Sequence, residues 1–502
     1  MLLFVKLFPR VTLFARPVIE EDGLISIRAT IILSDLHAGA DESLLSVLGA
    51  DGRVDPTLAS RTTAAFGDAM QATVTALSGS DPHDLVILGD ALDLSLAPPQ
   101  VAAGVFERFM AHLPPQMLAG RMSFLPGNHD HALWTAQRFA DGAGSPAQAA
   151  HWAHVTPAFA DPATRSGSGT LNALMPQGAG PVASYYPNQG LGPVADGRAQ
   201  RAVVLHHGHF IEAAYKLMTG VLTTLSGQPA PPMTAETLET VNGAWMDFAW
   251  SSLGDTGPLG RQVALAEERL VTGGGAHQVQ DRLAAALAGM LQSSLPLPHA
   301  ARVSDTLTEL ARGLVDSFVG SYSEMERFSY NAFLSRASTQ GLCDYIDHVV
   351  ADQMRFELGA QTGETRLTFV FGHTHKPFAD AVVAESFARP VTVYNTGGWV
   401  LDTALLSTLE GAALAFVDER MNTALLTLYS LDGDGVLQSA AVSSADPVAD
   451  ADNPMLIALR AAVAAADTRW AAFREAVRHD LEDKQAMYLR RAEGGAVQGG
   501  AA

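Results

Sequence analysis

Cysteine is almost absent from this sequence, which contains a single one, Cys343, among 502 residues. A lone thiol cannot form an intramolecular disulfide, so a secreted fold stabilised by disulfides is excluded. We therefore expect a protein of a reducing compartment, the cytoplasm. Cys343 lies in a stretch with helical periodicity, which predicts a buried structural thiol rather than a nucleophile.

Basic residues are also few. The 32 lysines and arginines are outnumbered by 53 acidic residues, which gives a formal net charge of −21. Because nucleic-acid binding depends on lysine and arginine displacing counterions from the phosphate backbone, nucleic acid is not an expected partner. An anionic substrate stays possible, since bound metal ions can neutralise an acidic site locally.

Long hydrophobic runs are missing as well. No stretch reaches the roughly 18 consecutive apolar residues that a membrane span requires. Lys6, Pro9 and Arg10 interrupt the apolar start before it could form a signal peptide. Residues 1–16 contain three cations and no acid. We expect a covering strand there, with peripheral contact with a membrane surface as the alternative.

What remains is a globular composition, with 48% hydrophobic and 17% charged residues. Continuous apolar runs of about four to eight residues predict strands that are buried on both faces. Stretches with helical periodicity, at 56–77 and 99–113, separate the first three of these runs. Alternating strands and helices predict an α/β fold whose ligands gather at the carboxyl ends of the strands. The predicted core strands are 29–33, 85–88, 122–125, 202–205, 367–371 and 391–394.

The chain is long for a single domain, so we divide it into a core and additions. Two later runs, at 412–418 and 423–431, predict antiparallel strands that complete a second sheet. The helices predicted in the larger insertion are 211–225, 235–252, 278–291, 303–319 and 341–357. The predicted units are an N-terminal extension (1–28), the core (29–209 and 366–446), a loop-rich insertion within it (139–201), a mainly helical insertion (210–365), and a C-terminal helix at about 454–491 with a flexible tail (447–502).

Five motifs with metal-binding side chains follow the predicted strands. Asp35 and His37 are two residues apart, as are His373 and His375, so on extended backbone each pair points to one side. Together the motifs can hold two divalent cations about 3.5–4 Å apart, a spacing at which a metal pair activates water against phosphorus. They are Asp35-Leu36-His37, Gly89-Asp90-Ala91-Leu92-Asp93, Gly127-Asn128-His129-Asp130, His206-His207-Gly208-His209 and Gly372-His373-Thr374-His375.

In order and in type, these motifs resemble those of the calcineurin-like metallophosphoesterase superfamily, over residues 29–208 and 366–400. The resemblance implies a four-layer α-β-β-α sandwich, here with a large, mainly helical insertion. It also implies a binuclear metal-dependent hydrolase that cleaves a phosphomonoester, phosphodiester or pyrophosphate. In that mechanism a metal-bridging hydroxide attacks phosphorus in line, and no covalent enzyme intermediate forms.

The resemblance implies a ligand set for two divalent cations. Asp90 bridges both, since a carboxylate can offer one oxygen to each ion and screen their repulsion. The mixed oxygen and imidazole donors are compatible with manganese, iron or zinc and do not choose among them. Manganese is the metal that we expect first, with iron or zinc as alternatives. Asp35, His37 and His375 belong to the first cation, and Asn128, His207 and His373 to the second.

The fourth motif offers three histidines for one ligand position. Placement directly before glycine, as in the resembling family, favours His207. Strand alternation then turns His206 to the opposite face, into a hydrogen-bonded structural role. His209 can reach the substrate or the outer coordination sphere.

His129 is expected to act in catalysis and not as a ligand. By the resemblance it faces the bound phosphate, stabilises the transition state and gives a proton to the leaving oxygen. Asp93 is the candidate partner that holds its imidazole. Asp130 competes for this role, its other expected role being to cap the loop.

The insertion points to a substrate without identifying it. A helical lid between the fourth and fifth motifs, and the segment Asn395-Thr396-Gly397-Gly398-Trp399, resemble the branch of UDP-2,3-diacylglucosamine pyrophosphatase, whose lid shelters acyl chains. That branch usually carries arginine where this chain has His129, and its insertion is shorter. The expected partner is therefore a small-molecule or lipid-linked phosphoester. The alternative from another class is a non-catalytic scaffold that binds a protein through the insertion, and the sequence indicates no oligomeric state.

Overall fold

The structure is a computed structural model that describes residues 26–143, 154–196, 199–252, 332–359, 362–403, 406–445 and 452–499. Most of the predicted N-terminal extension lies outside the described residues. So do the predicted helices at 278–291 and 303–319, part of the loop-rich insertion, and the last three residues of the tail.

Strands at all six predicted core positions are present. The two later runs, at 412–418 and 423–431, are also strands, each within one residue of its predicted bounds. Among the described residues the strands are β1 (Ala29–Leu33), β2 (Asp84–Ile87), β3 (Met122–Phe124), β4 (Val182–Ser184), β5 (Asn188–Asp196), β6 (Ala199–His206), β7 (Arg366–Phe371), β8 (Phe378–Val382), β9 (Val391–Asn395), β10 (Gly411–Asp418), β11 (Thr423–Ser430) and β12 (Ala441–Ser443).

The strands form two sheets. One has seven strands in the order β12-β11-β10-β1-β2-β3-β4, and the other has five in the order β5-β6-β7-β9-β8. Strands β1 to β4 run parallel, as do β6, β7 and β9. The parallel strands therefore bring their carboxyl ends, and the motifs that follow them, to one edge of each sheet.

Two sequence predictions about the sheets were wrong. Strands β10 and β11 do not complete the second sheet, because β10 pairs antiparallel with the free edge of β1 and extends the first sheet. The segment 139–201 is not only an insertion, because it contains β4, which extends the first sheet, and β5, which begins the second. Its glycine, serine and proline content concealed these strands.

The helices cover the outer faces of both sheets. The one predicted at 211–225 begins later, at Leu217, after two short 3₁₀ turns, and the one predicted at 454–491 divides at Ala466 and continues to Gly499. A π-helical turn, Asp247–Ser251, continues α7, and another, Ile346–Val350, joins α8 to α9. In the described residues the helices are α1 (Arg61–Ser78), α2 (Pro99–His112), α3 (Pro115–Leu118), α4 (Ala132–Ala143), α5 (Gly169–Leu174), α6 (Leu217–Ser226), α7 (Ala235–Met246), α8 (Arg336–Tyr345), α9 (Ala351–Leu358), α10 (Pro454–Ala465) and α11 (Asp467–Gly499).

Side-chain alternation along the strands builds four layers. Ile31 and Leu33 of β1 belong to the core beneath helices α1, α2, α10 and α11, whereas Ile32 faces the other sheet. Residues that share the space between the sheets include Val86 of β2 and Val203 of β6. A third core lies between the five-stranded sheet and the helices that follow β6. The α-β-β-α sandwich is therefore confirmed.

The larger insertion is helical where it is described, at 209–252 and 332–358, which we call the helical segment. Residues 253–331 of the insertion lie outside the described residues, so its full helical content stays a prediction. Cys343, predicted to be buried, is half-buried on α8. No helix in the described part of the chain is both long enough and apolar enough to span a bilayer.

A buried ionic cluster joins the helical segment to the loop of the third motif. His131 bonds through Nδ1 to Asp247 at 2.7 Å and through Nε2 to Glu239 at 3.1 Å. Burial lowers the pKa of His131, but the two carboxylates outweigh burial and raise this pKa to about 10. His131 is therefore a buried cation that holds the helical segment beside the site.

The C-terminal helix α11 is part of the core. Leu481 is 7% exposed and Leu489 is 62% exposed on the same helix. We predict that Leu481→Ala destabilises the fold by about 2–4 kcal/mol, because it leaves a cavity. Leu489→Ala is the matched control and changes stability by less than about 0.5 kcal/mol. Urea denaturation followed by tryptophan fluorescence measures both, and equal effects would contradict the packing of α11.

Candidate metal centre

The seven predicted ligands come together at the carboxyl ends of the strands. Those on the first sheet follow β1, β2 and β3, and those on the second follow β6 and β7. Each ligand is at most 4% exposed. Residues up to 340 positions apart in sequence thus share one buried site, whose members are Asp35, His37, Asp90, Asn128, His207, His373 and His375.

The loops that carry these ligands have an uncommon backbone. Five of the seven have positive φ, namely Asp35 at 53°, His37 at 44°, Asp90 at 48°, His373 at 71° and His375 at 57°. Among the described residues, Met421 is the only other non-glycine with positive φ. Such conformations cost about 1–3 kcal/mol each and concentrate at functional sites. The side chains of Asp35 and His37, and those of His373 and His375, therefore converge through tight left-handed loops, and not through strand alternation as the sequence predicted.

Glycines in the motifs let the backbone pass against the ligands. A Cβ atom on Gly127 would lie 2.2 Å from Oδ1 of Asp90, and one on Gly372 would lie 2.1 Å from Oδ2 of Asp35. Both distances are far below van der Waals contact, so any side chain there would displace a carboxylate. This close approach explains why glycine precedes Asn128 and His373.

The donor atoms form three overlapping groups, and His37 and Asp90 each belong to two of them. Asp35, His37 and His375 make the first, Asp90, His207 and His373 the second, and His37, Asp90 and His129 the third, with donor atoms in each within 4.8 Å of one another. Asp90 Oδ2 lies 3.1 Å from His207 Nε2 and 3.7 Å from His37 Nε2. Asp90 thus lies between the groups, where the predicted bridging ligand belongs.

Asn128 joins the second group. Its Oδ1 lies 3.1 Å from Nε2 of His207, and its Nδ2 donates to the hydroxyl of Tyr215 at 3.4 Å. This hydrogen bond orients the amide. The amide oxygen of Asn128 then faces the other donor atoms.

Three histidines are held through Nδ1 by acceptors. His37 bonds to Asp93 at 2.9 Å, His207 to the carbonyl of Leu88 at 2.9 Å, and His375 to Asp402 at 2.7 Å. Because a carbonyl or an ionised carboxylate only accepts, each Nδ1 carries the hydrogen and each neutral ring keeps a lone pair on Nε2. In this tautomer Nε2 is the ring nitrogen that can bind a metal ion.

The geometry among these nitrogens fits a cation. Nε2 of His37 lies 3.1 Å from Nε2 of His375. Two lone pairs at that distance repel unless a proton or a cation lies between them. Asp35 Oδ1 lies 3.6 Å from the same atom of His375, so nitrogen and oxygen donors of the first group converge. A divalent ion with mixed oxygen and nitrogen ligands suits this set.

The buried carboxylates control the protonation of the neighbouring histidines. Burial lowers the pKa of His37, but Asp93, Asp90 and Asp35 together raise it to about 9. Burial likewise lowers the pKa of His207, while Asp90 and Asp35 raise it to about 10. Both rings therefore hold an extra proton in the metal-free protein, and a bound cation must displace it.

His129 lies beside the other donor atoms, and a hydrogen bond holds one of its ring nitrogens. Its backbone N–H donates to Asp90 Oδ1 at 2.8 Å, and its Nδ1 bonds to Asp93 Oδ1 at 3.2 Å. Nε2 of His129 is buried and makes no hydrogen bond. One carboxylate, Asp93, thus supports both His129 and His37. Burial raises the pKa of Asp93, but the two imidazoles hold this pKa well below its usual value.

Asp130 has the capping role. Its carboxylate accepts backbone N–H groups from Gly127 at 2.7 Å and from Ala91 at 2.7 Å, joining the second and third motif loops. The partner of His129 is therefore Asp93 in this structure. Asp130 acts instead as a clamp that holds two ligand-bearing loops together.

Of the three histidines in the fourth motif, His207 alone lies among the donors. Both ring nitrogens of His206 are buried without a hydrogen bond, so its expected hydrogen-bonded role is wrong. Its ring packs instead 4.4 Å from that of Tyr345. His209, expected to reach the substrate or the outer coordination sphere, has its Nε2 3.3 Å from the Tyr186 hydroxyl, and its expected role stays a prediction.

Sequence reasoning missed several residues that support the ligands. Asp402 holds His375, Tyr215 holds Asn128, and Glu212 lies 2.9 Å from His373. Ser34 donates to Asp35 Oδ2 and contacts Thr396 at 2.6 Å. The only available signal was proximity in sequence, since Glu212 follows His207 closely and Asp402 follows the Asn395–Trp399 segment.

No protein-family model and no curated protein matches this chain. Among solved structures, it is similar to a dimetal phosphatase from Danio rerio, with 12% identity, coverage of 80% of this chain and 95% of that chain, and a TM-score of 0.27. So low a TM-score carries no argument, and the site is interpreted from its own geometry.

Metal binding is expected to release protons. Because the pKa values of His37 and His207 lie near 9 and 10, both rings are protonated at neutral pH, and Mn²⁺ must displace those protons. Affinity should therefore rise with pH toward that range. Calorimetric titration of metal-free protein at about pH 6 and about pH 8, in buffers of different ionisation heat, measures this linkage. Affinity that is unchanged between them, without proton release, would refute the proposed ligand atoms.

Proposed function

We propose that this chain is a binuclear metal-dependent phosphoesterase of the superfamily that its motifs resemble. The observation that carries the proposal is the set of buried donor groups linked through His37 and Asp90, with His129 among them. Buried carboxylates and imidazoles at this density are unfavourable without a cation. Their loops also concentrate the backbone strain typical of functional sites.

The proposed first site consists of Asp35, His37, Asp90 and His375, and the second of Asp90, Asn128, His207 and His373. A divalent pair bound there would activate water and withdraw charge from the phosphoryl oxygens. Manganese is the proposed metal, with iron or zinc as alternatives, because the donors mix oxygen and imidazole nitrogen.

His129 is the proposed catalytic residue. Asp93 holds its Nδ1 at 3.2 Å, which fixes the ring and leaves Nε2 as the atom that exchanges a proton. A proton on Nε2 can then pass to the leaving oxygen as the ester bond breaks.

The substrate we propose is a phosphomonoester, phosphodiester or pyrophosphate. A lipid- or nucleotide-linked pyrophosphate is the narrower candidate, because aromatic rings of the helical segment lie beside the second donor group. The ring of Tyr215 is 4.9 Å from that of His373 and 5.2 Å from that of Trp250. Such rings can contact an apolar or planar part of a substrate.

The proposal is tested by metal analysis together with hydrolysis of p-nitrophenyl phosphate and bis(p-nitrophenyl) phosphate, with Mn²⁺, Fe²⁺ or Zn²⁺ added. We expect two ions per chain and turnover of at least one ester. Two bound ions without turnover of either ester would favour the non-catalytic scaffold. Failure to bind metal would contradict both the site and the function.

Two substitutions separate the proposed roles. Asp90→Asn should abolish turnover and reduce metal content, because an amide cannot bridge two cations as a carboxylate does. His129→Ala should slow turnover by about 10²–10⁴-fold while both metals are retained. Metal analysis and steady-state kinetics measure the difference. Equal loss of metal in the two variants would refute this division of roles.

A further inference from the structure

Three of the four histidines proposed as ligands are held by a hydrogen-bond acceptor in the same way, and His373 differs from them. For His37, His207 and His375, an acceptor holds Nδ1 and leaves Nε2 for the cation. Nδ1 of His373 has no such acceptor among the hydrogen bonds described above. Its other nitrogen, Nε2, instead lies 2.9 Å from Oε1 of Glu212.

Glu212 is held firmly at this position. It lies between the 3₁₀ turns His209–Ile211 and Ala213–Lys216, and its backbone N–H donates to the carbonyl of His209 at 3.1 Å. Helix α8 packs directly on the preceding residue, since a Cβ on Gly341 would lie 2.0 Å from the carbonyl oxygen of Ile211. The carboxylate is therefore presented to His373 by packed backbone and not by a loose side chain.

The burial of Glu212 indicates that its carboxylate needs a partner. The residue is 6% exposed, so an ionised carboxylate there requires a compensating partner. Its carboxylate contacts a histidine that lies within one donor group with Asp90 and His207. A carboxylate that holds the far nitrogen of a metal-binding histidine is a recurring arrangement, and it fixes both the tautomer and the orientation of the ring.

We propose that Glu212 is a positioning residue that accepts the Nε2 hydrogen of His373, so that His373 binds the second cation through Nδ1, in contrast to the Nε2 ligation of His37, His207 and His375. The inference rests on the proposed function only for the presence of the metal pair. The contact is short but is not aligned as a hydrogen bond.

The consequence is an asymmetric centre. The helical segment supports the second cation through Glu212 behind His373 and through Tyr215 behind Asn128, at 3.4 Å. The first cation is supported by Asp93 behind His37 and by Asp402 behind His375, and neither of these carboxylates belongs to the helical segment. Loss of Glu212 should therefore weaken the second site selectively.

The first experiment measures binding of Zn²⁺ and Mn²⁺ to the full chain by calorimetry and by metal analysis. Glu212→Ala should lower the affinity of one of the two sites by about 10- to 100-fold and leave the other unchanged. Glu212→Gln should retain most of that affinity, because its amide oxygen can still accept the Nε2 hydrogen. Thermal unfolding of both variants verifies that they fold.

Glu239→Gln is the matched control. Glu239 is 2% exposed, belongs to the same helical segment and also pairs with a buried histidine, His131, which we do not propose as a ligand. We expect the Glu239→Gln variant to bind both cations as tightly as the parent chain. A loss in this control equal to that in Glu212→Ala would mean that the effect is general destabilisation, and would overturn the assignment.

The second experiment reads the ligand atom directly. In the zinc-loaded, ¹⁵N-histidine-labelled protein, long-range ¹H–¹⁵N spectra should show one ligating ring with a protonated Nε2, and this pattern should be absent in His373→Ala. Ligation of His373 through Nε2 would overturn the proposal. So would equal loss of affinity in Glu212→Gln and Glu212→Ala, which indicates that the carboxylate itself binds metal.

The outcomes separate this inference from the proposed function. A chain that binds two cations but hydrolyses no ester leaves the role of Glu212 standing and overturns the enzymatic proposal. A chain whose Glu212→Ala variant binds both cations as tightly as the parent overturns the role of Glu212 alone. A parent chain that binds no cation overturns both.

Discussion

Buried negative charge at the junction of the two sheets is the constraint on which the rest of the site depends. Asp35, Asp90 and Asp93 are each at most 1% exposed. Carboxylates taken out of water must be neutralised or paired, because the loss of hydration costs several kcal/mol for each ion. In the metal-free protein, protonated His37 and His207 supply this compensation, and bound cations would replace it. The proposed binding of metal thus follows from electrostatics that the fold imposes.

The scaffold keeps these charges in position with groups that are themselves not ligands. Asp130 ties the second and third motif loops through backbone N–H groups, and Asp93 holds two imidazoles at once. His131 joins Glu239 and Asp247 of the helical segment to the chain just beyond His129. Because the contacts of Asp130 and Asp93 are buried, a shift in one motif loop is transmitted to the donors that it carries. The donors are therefore held in place by residues that are not ligands themselves.

Much of the fold was predictable because its signals are local. The apolar run 29–33 matches β1 residue for residue, and helical periodicity located α1 and α2 closely. Strands β4 and β5 were missed because the surrounding glycine, serine and proline conceal short strands. The sheet to which β10 belongs was also wrongly predicted. A hydrophobic pattern identifies a strand but not the strand with which it pairs. Here β10 pairs with the free edge of β1.

The sequence by itself determined the chemical types at the site, because Asp35, Asp90, Asn128 and His373 each stand in short motifs directly after apolar strands. Only the tertiary structure decided which atoms meet. The left-handed backbone at Asp35 and His37, the choice of His207 over His206, and the contacts of Asp402 and Glu212 depend on chain segments that are distant in sequence. The physical reason is that a buried polar group takes its partner from whatever the fold packs against it, and no local pattern records that partner.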